Sequence, residues 1–242
     1  MSDNPPVAMM LLPVPLLIAT VVAVIVGFAT SWLWAVIAFV VIALAVAAAA
    51  YLFAEPVALK LLGARPLNEQ GSLQLRNQLE ELCARTGVVE PDLYTVGEGA
   101  PAIASVGRKG NSLVVTDGLS DDLTVVELEA AVARELARAQ SGSTTIDTLA
   151  VTFLTLPFGP FGGLANKALR FFRGGDHDAR TDLDGIAITR YPPGMTAALN
   201  KMGDRPSGPG AVAHLWAVDS RTASERAGSY GFEERIALLR EL

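Results

Sequence analysis

"VELEAAVARELARAQSG", residues 126–142, decides how the rest of the chain is read. Thr124 and Glu127 sit three positions apart in the pattern T-V-V-E, the capping box that opens a helix, and Ser141-Gly142 supplies the stop. Within the helix, Arg134 and Arg138 are one turn apart on a single face, with Glu135 beside them. A surface helix carries such charges into solvent. A buried one has to pair them, because an isolated charge inside a protein is costly. Spacing alone leaves both readings open.

Upstream, the composition changes character. The chain has 242 residues, 51% of them hydrophobic, with 19 basic and 25 acidic side chains. No charged residue stands between Asp3 and Glu55. Since about 20 apolar residues span a bilayer as a helix, this run is long enough for two crossings. Small and polar residues at 27–32, "GFATSW", mark a turn between a first helix over 7–28 and a second over 32–53. Pro13 and Pro15 fall in the first helix's opening turns, and Trp32, Trp34, Tyr51 and Phe53 bracket the second as interfacial aromatics do. A cleavable signal peptide needs a basic start and a shorter apolar core, and "MSDNPP" has neither. The turn carries no basic residue, while Lys60 and Arg65 follow helix two, so the positive-inside bias puts the remainder in the cytosol. The expected organisation is a two-helix transmembrane anchor over 1–54 and a folded domain over 55–242.

The domain reads as α+β. "LQLRNQLEELCARTG" has leucines at helical spacing and Gly87 as its stop. "PDLYTVGEG" and "NSLVVTDGL" read as strands of a small sheet. "ARTDLDGIAITR" makes a helix ending before Pro192-Pro193, and "FEERIALLREL" is an amphipathic helix with Phe232, Ile236 and Leu239 on one side. The uncharged stretch 149–165, interrupted by Pro157 and Pro160, fits an interfacial or re-entrant segment or a buried hairpin. Residues 203–211, "GDRPSGPGA", form a linker. The net charge of −6 and the lack of a basic run exclude non-specific nucleic-acid binding. Cys83 is the sole cysteine, so there is no internal disulfide.

In this order the pieces resemble the membrane-bound zinc metallopeptidases of the HtpX heat-shock protease type, which act in protein quality control. The resemblance runs through the paired apolar helices, "LCARTGV", "PDLYTVGEGAPAIASVG", the Thr-x-Gly-Leu-like "TDGL", the helix at 126–142, "DARTDLDGIAIT" and the closing "HLW" and "EERIALLREL". It implies a zincin-like domain after the anchor. It also implies that Glu135 occupies the general-base position of an H-E-x-x-H helix, where two imidazoles one turn apart hold zinc and the glutamate activates its water. Arg134 and Arg138 stand at the two histidine positions. Asp178 stands where the family has its ligand glutamate, followed by Asp182, Asp184 and Gly185.

A guanidinium is always protonated and has no lone pair to offer zinc. The only nitrogen or sulfur ligands left are His177, His214 and Cys83. His177 reads as a surface loop residue and His214 as a packed, hydrogen-bonded core histidine. The expected site is therefore degenerate, without zinc or any other cofactor, its metal replaced by a charge cluster of Arg134, Glu135, Arg138, Asp178 and Asp182. Two further departures concern substrate access: Pro101 stands in place of the family's loop asparagine in "APAIASVG", and the segment between the two motif helices is shorter than the family's.

The functional expectation is a pseudoprotease in a bacterial-type plasma membrane, serving as a binding, scaffold or regulatory subunit of a larger membrane complex. Its partners would be membrane proteins and the lipid bilayer, and small residues in "IALAVAAAA", 42–50, suit close helix packing. Two alternatives remain open at this point: a zinc endopeptidase with unorthodox ligands, and a regulator of an active family member.

Overall fold

The computed structural model describes residues 17, 19–22, 24, 32–68, 73–97, 99, 101–152, 176–202, 212–218 and 232–241. Of the expected first apolar helix, residues 17, 19–22 and 24 are described, and all are helical. The second is a long helix, α1, Trp32–Leu62. Its portion Val36–Leu62 is long and apolar enough to cross a membrane, and it is the one such helix among the described residues. The sequence reading ended this helix at Phe53; it continues through Pro56 to Leu62. Its last turns persist because they have something to pack on. Ala54, Ala58 and Leu62, each four residues apart, are buried, whereas Leu33, Trp34, Val40, Val41, Leu44, Leu52 and Phe53 are exposed.

Beyond α1 the described chain is mostly helical around a small mixed sheet of order β1-β2-β4-β3. Its strands are β1 Arg65–Pro66, β2 Asp92–Thr95, β3 Ile103–Val106 and β4 Ser112–Val115. β2 runs parallel to β4, and β3 antiparallel to it with Ala104 opposite Val114. Residues 103–106, read from sequence within a loop, are thus a strand. All four are buried, and small Ala104 and Ser105 let a helix lie close against it.

That helix is α4, Val125–Gln140, opened by the Thr124–Glu127 capping box. It is central: every residue from Glu127 to Ala139 except Glu129 is buried. Packed around it are α2 (Leu73–Thr86), α5 (Ser143–Ala150), α6 (His177–Thr189) and α7 (Pro192–Met202). Short α3 (Leu119–Asp122) precedes α4, and α8 (Phe232–Arg240) closes the described chain. Leu75, Leu79, Leu82, Leu128, Val132, Leu136, Met195, Leu199, Ile236 and Leu239 join in one core. A second core, on the far side of the sheet, joins Ala58 and Leu62 of α1 to Ala104, Val106, Val114, Leu215 and Trp216. The membrane helix is therefore continuous with the hydrophobic interior of the domain.

Gly185 sets the crossing of α4 and α6. A Cβ there would lie 2.7 Å from Met195 Cε and 2.8 Å from Arg134 Cα. Only hydrogen fits, and the close approach brings the acidic face of α6 against the arginines of α4. The expected linker 203–211 lies outside the described residues, as does the part of the apolar stretch 149–165 beyond residue 152; Leu149, Ala150 and Val151 are buried.

Candidate functional site

The structure brings together the five residues singled out on α4 and α6. Arg134 and Arg138 are each 1% exposed and Glu135 and Asp182 are fully buried, so the arginines do not form a solvated face. Arg134 gives hydrogen bonds from Nε to Asp182 Oδ1 (2.6 Å) and from Nη1 to Glu135 Oε1 (2.5 Å), with Asp178 Oδ1 at 3.6 Å from Nη2. Burial opposes its charge, but the carboxylates of Asp182, Glu135 and Asp178 outweigh that and raise its pKa above the ordinary arginine range. Asp178 lies at the rim, partly exposed, and Asp184 faces outward.

Several partners were not legible in the sequence. Arg138 reaches Asp147 on α5, with Nη2 to Oδ2 at 2.7 Å and Nε to the same oxygen at 3.1 Å. Arg235 on α8 grips Asp182 with Nε at 2.7 Å and Nη2 at 2.8 Å. Three buried arginines (134, 138, 235) thus face three buried carboxylates (135, 147, 182), a balanced set with Asp178 at its edge. The signal for Arg235 was available: it lies one residue before Ile236 on the apolar side of α8. Asp147, in "STTIDTLA", gave none.

Glu135 is held by four donors. Oε2 accepts from Ser105 N (2.8 Å), Ser105 Oγ (2.7 Å) and Arg138 Nη1 (3.1 Å), while Oε1 accepts from Arg134. A carboxylate has about two lone-pair positions on each oxygen; three donors crowd Oε2 and one reaches Oε1. Ser105 is further tied to Thr144 on α5 at 3.1 Å.

The same groups reach the outer edge of β3. Ala104 pairs antiparallel with Trp216, just after a short 3-10 turn, Ala213–Leu215. Such a pair places hydrogen bonds from Ala217 N–H to Ile103 O and from Ser105 N–H to Leu215 O. The first is made at 2.9 Å. At the position of the second, an ion pair holds both backbone groups: Ser105 N–H gives to Glu135, and Leu215 O accepts from Arg138 Nη1 at 2.6 Å. Ala217 O accepts from both terminal nitrogens of Arg235 at 3.3 Å. Segment 212–218 is buried wherever its side chains are described.

His214 is fully buried, with Nε2 at 3.0 Å from the Asp147 carbonyl. His177 corrects the sequence reading: it is no loop residue at the surface, but the first residue of α6, 6% exposed, with Nε2 3.9 Å from Asp147 Oδ2. The expected loop placement failed because α6 begins earlier than its apolar pattern suggested.

With this geometry in place, comparison with known proteins places the chain among peptidase relatives. It is similar to HtpX protease homologues. Over 156 residues it is 31% identical to the protease HtpX homolog of Ralstonia pickettii, covering 63% of this chain and 52% of that protein. The Acidiphilium cryptum homolog is 32% identical over 152 residues, 60% of this chain and 51% of that one. The Paraburkholderia phytofirmans homolog is 29% identical over 166 residues, 67% and 56%. The chain thus spans about half the length of these curated relatives. No protein-family model matches it, and no solved structure does. The relatives support a relationship to the HtpX-type metallopeptidases and, with the one long apolar helix among the described residues, point to a membrane protein.

The residues present do not fit the zinc ion that this relationship implies. Zinc needs three or four lone-pair donors converging on one point. Here, Arg134 and Arg138 turn N–H donors toward the carboxylates that would otherwise be available. Among the described residues, no group of three or more His, Cys, Asp or Glu is placed to hold a metal.

Proposed function

We propose that this chain is a membrane-anchored pseudoprotease, a relative of the HtpX-type peptidases that neither uses zinc nor cleaves peptides. It serves as a binding, scaffold or regulatory subunit of a membrane protein complex. The observation that carries this reading is the state of Glu135. A general base must stand within reach of a water. Glu135 is fully buried and its oxygens accept four hydrogen bonds, two of them from arginines that stand at the metal-ligand positions. The arginine–carboxylate network does the structural work of a metal, joining α4 to α5, α6 and α8. The α1 helix anchors the domain on the cytoplasmic side of a plasma membrane, which Lys60 and Arg65 favour by the positive-inside bias.

The test uses full-length protein purified in mild detergent without chelator. Zinc is quantified by mass spectrometry, and cleavage of an unfolded protein substrate is compared with that of Glu135→Gln. The proposal expects a folded protein with neither zinc nor activity that depends on Glu135. Near-stoichiometric zinc with activity lost in Glu135→Gln would establish an endopeptidase with unorthodox ligands instead. Among non-catalytic roles, co-purification of an active HtpX-type peptidase with its clients identifies a regulator, and co-purification of an unrelated membrane complex identifies a scaffold.

A further inference from the structure

On α1 the change from exposed to buried side chains falls between Phe53, 60% exposed, and Ala54, 3% exposed. The first charged residue of the helix, Glu55, comes two positions later. From Trp32 to Phe53 a helix rises about 32 Å, which matches a hydrocarbon core of about 30 Å. Two independent features, burial and charge, thus put the domain-side membrane boundary near Phe53.

A basic turn sits at that level. After β3 the chain enters a 3-10 turn, Arg108–Gly110, and Arg108 places its guanidinium 5.1 Å from the ring centroid of Tyr51. The turn is held in place on both sides. Gly107, at φ 92°, approaches Glu55 so closely that a Cβ would lie 2.5 Å from its carboxyl carbon. Glu55 accepts from Ser112 Oγ at 2.6 Å. From α5, Thr148 Oγ1 accepts from Gly107 N at 2.9 Å and Thr145 Oγ1 from Lys109 N at 3.1 Å. Arg108 and Lys109 are both exposed. Lys109 adopts φ 57°, a left-handed conformation that few side chains tolerate, so the fold holds this exposed cation in place against backbone strain.

We propose that the Arg108–Lys109 turn is a docking surface for the headgroups of anionic phospholipids in the leaflet facing the domain. Tyr51 is an interfacial aromatic on the membrane helix, and a cation stacked on it lies at headgroup depth. A guanidinium and an ammonium side by side suit a phosphodiester, the arginine by paired donors and the lysine as a point charge. The contact fixes the domain's height and rotation on the bilayer, beyond what a single helix sets.

The experiment uses the full chain in lipid nanodiscs, with Cys83 replaced by alanine and a fluorophore on Asn111→Cys, next to the turn. A reference label goes on Val125→Cys. Val125 begins α4, about 21 Å along that helix from Ala139, whose Cβ lies against Gly110. Quenching is read with a nitroxide near the headgroup of either phosphatidylglycerol or phosphatidylcholine. The proposal expects strong quenching at 111 and weak quenching at 125, with a preference for phosphatidylglycerol. Arg108→Gln and Lys109→Gln should each lower that preference by about fivefold, the worth of one basic side chain at an anionic surface. Equal quenching at 111 and 125 would overturn the docking, and equal quenching by the two lipids would overturn the charge recognition. If added inorganic phosphate abolishes the preference, the turn is a soluble-phosphate site and the lipid assignment is wrong.

Discussion

Arg134→Met is the most informative single change, because it removes a charge while retaining much of the side chain's length and apolar bulk. In the structure Arg134 is 1% exposed and directs Nε at Asp182 and Nη1 at Glu135, both fully buried. Asp182 keeps Arg235 as a partner, and Glu135 keeps Arg138 and Ser105, so neither carboxylate is wholly abandoned. The buried balance nevertheless shifts from three positive against three negative to two against three. Removing one member of a buried ion pair costs about 3–5 kcal/mol, and the remaining partners place this site toward the lower end. For a domain of this size, about 1 kcal/mol moves Tm by about 2–4 °C, so the expected loss is about 6–12 °C. The matching control is Arg85→Ala. Arg85 meets Glu129 at 2.8 Å with its side chain 44% exposed, and such surface pairs contribute about 0–1 kcal/mol. Both variants are followed in detergent by tryptophan fluorescence in a Trp32→Phe, Trp34→Phe background, which leaves Trp216, buried within the domain, as the reporter. If Arg134→Met unfolds within a degree or two of Arg85→Ala, the network does not hold the helices together and the arginines are not substitutes for a metal.

Four further outcomes follow from particular contacts. Glu135→Gln should lower Tm by several degrees, because its amide N–H₂ meets donors from Ser105 and the arginines; an unchanged Tm would fit a spare catalytic base instead. Gly185→Ala should destabilise by about 1–3 kcal/mol, since its methyl collides with the backbone of Arg134, and denaturant titration measures it. Burial pushes the Glu127 pKa up, but hydrogen bonds from Lys201 and Thr124 more than offset this, so the folded-state value is lowered. Its contribution is therefore present above the unfolded glutamate range and lost as pH falls through the folded value; Tm profiles of the wild type and Glu127→Gln should converge in acid. Cys83, raised to about 11 by burial and by nearby Glu90, should resist thiol reagents at neutral pH until the domain is unfolded.

What could be read from the sequence was what repeats or punctuates. The capping box at Thr124, the leucine spacing of α2 with Gly87 at its end, and the two β-branched runs each announce an element, and the elements are there. β3 did not announce itself. Ile-Ala-Ser-Val carries its β-branched residues only at the two ends, and its strand character comes from pairing with β4 and from small side chains admitting α4. The length of α1 was missed for a similar reason: Glu55 and Pro56 look like an exit from the membrane, but the last turns bury Ala58 and Leu62 in the domain. Within the site, local spacing joined Arg134, Glu135 and Arg138, and the resemblance supplied Asp178 and Asp182. Asp147 enters only through tertiary packing, which no local pattern encodes, and Arg235 is signalled only by its place on the apolar side of α8.

Those two late partners bear on the proposed function more than the five legible ones. Zinc is a point charge that three ligands can hold while a fourth position stays open to water. Guanidinium groups are planar, and each donor is committed along a fixed direction. Arg138 uses its directions on Asp147, Glu135 and the Leu215 carbonyl, and Arg235 uses its own on Asp182 and the Ala217 carbonyl. The two arginines thereby hold alternate carbonyls of the segment that pairs with the outer edge of β3. The edge at Ala104, where an added extended peptide would find partners, is taken by the chain itself. On the proposed reading, exchanging imidazoles for arginines does more than remove a metal: it ties the edge strand, the central helix and the closing segment into one closed unit. A partner then meets this protein on its outer surfaces or through its membrane helix, and a search for clients should begin with proteins captured by crosslinkers placed there.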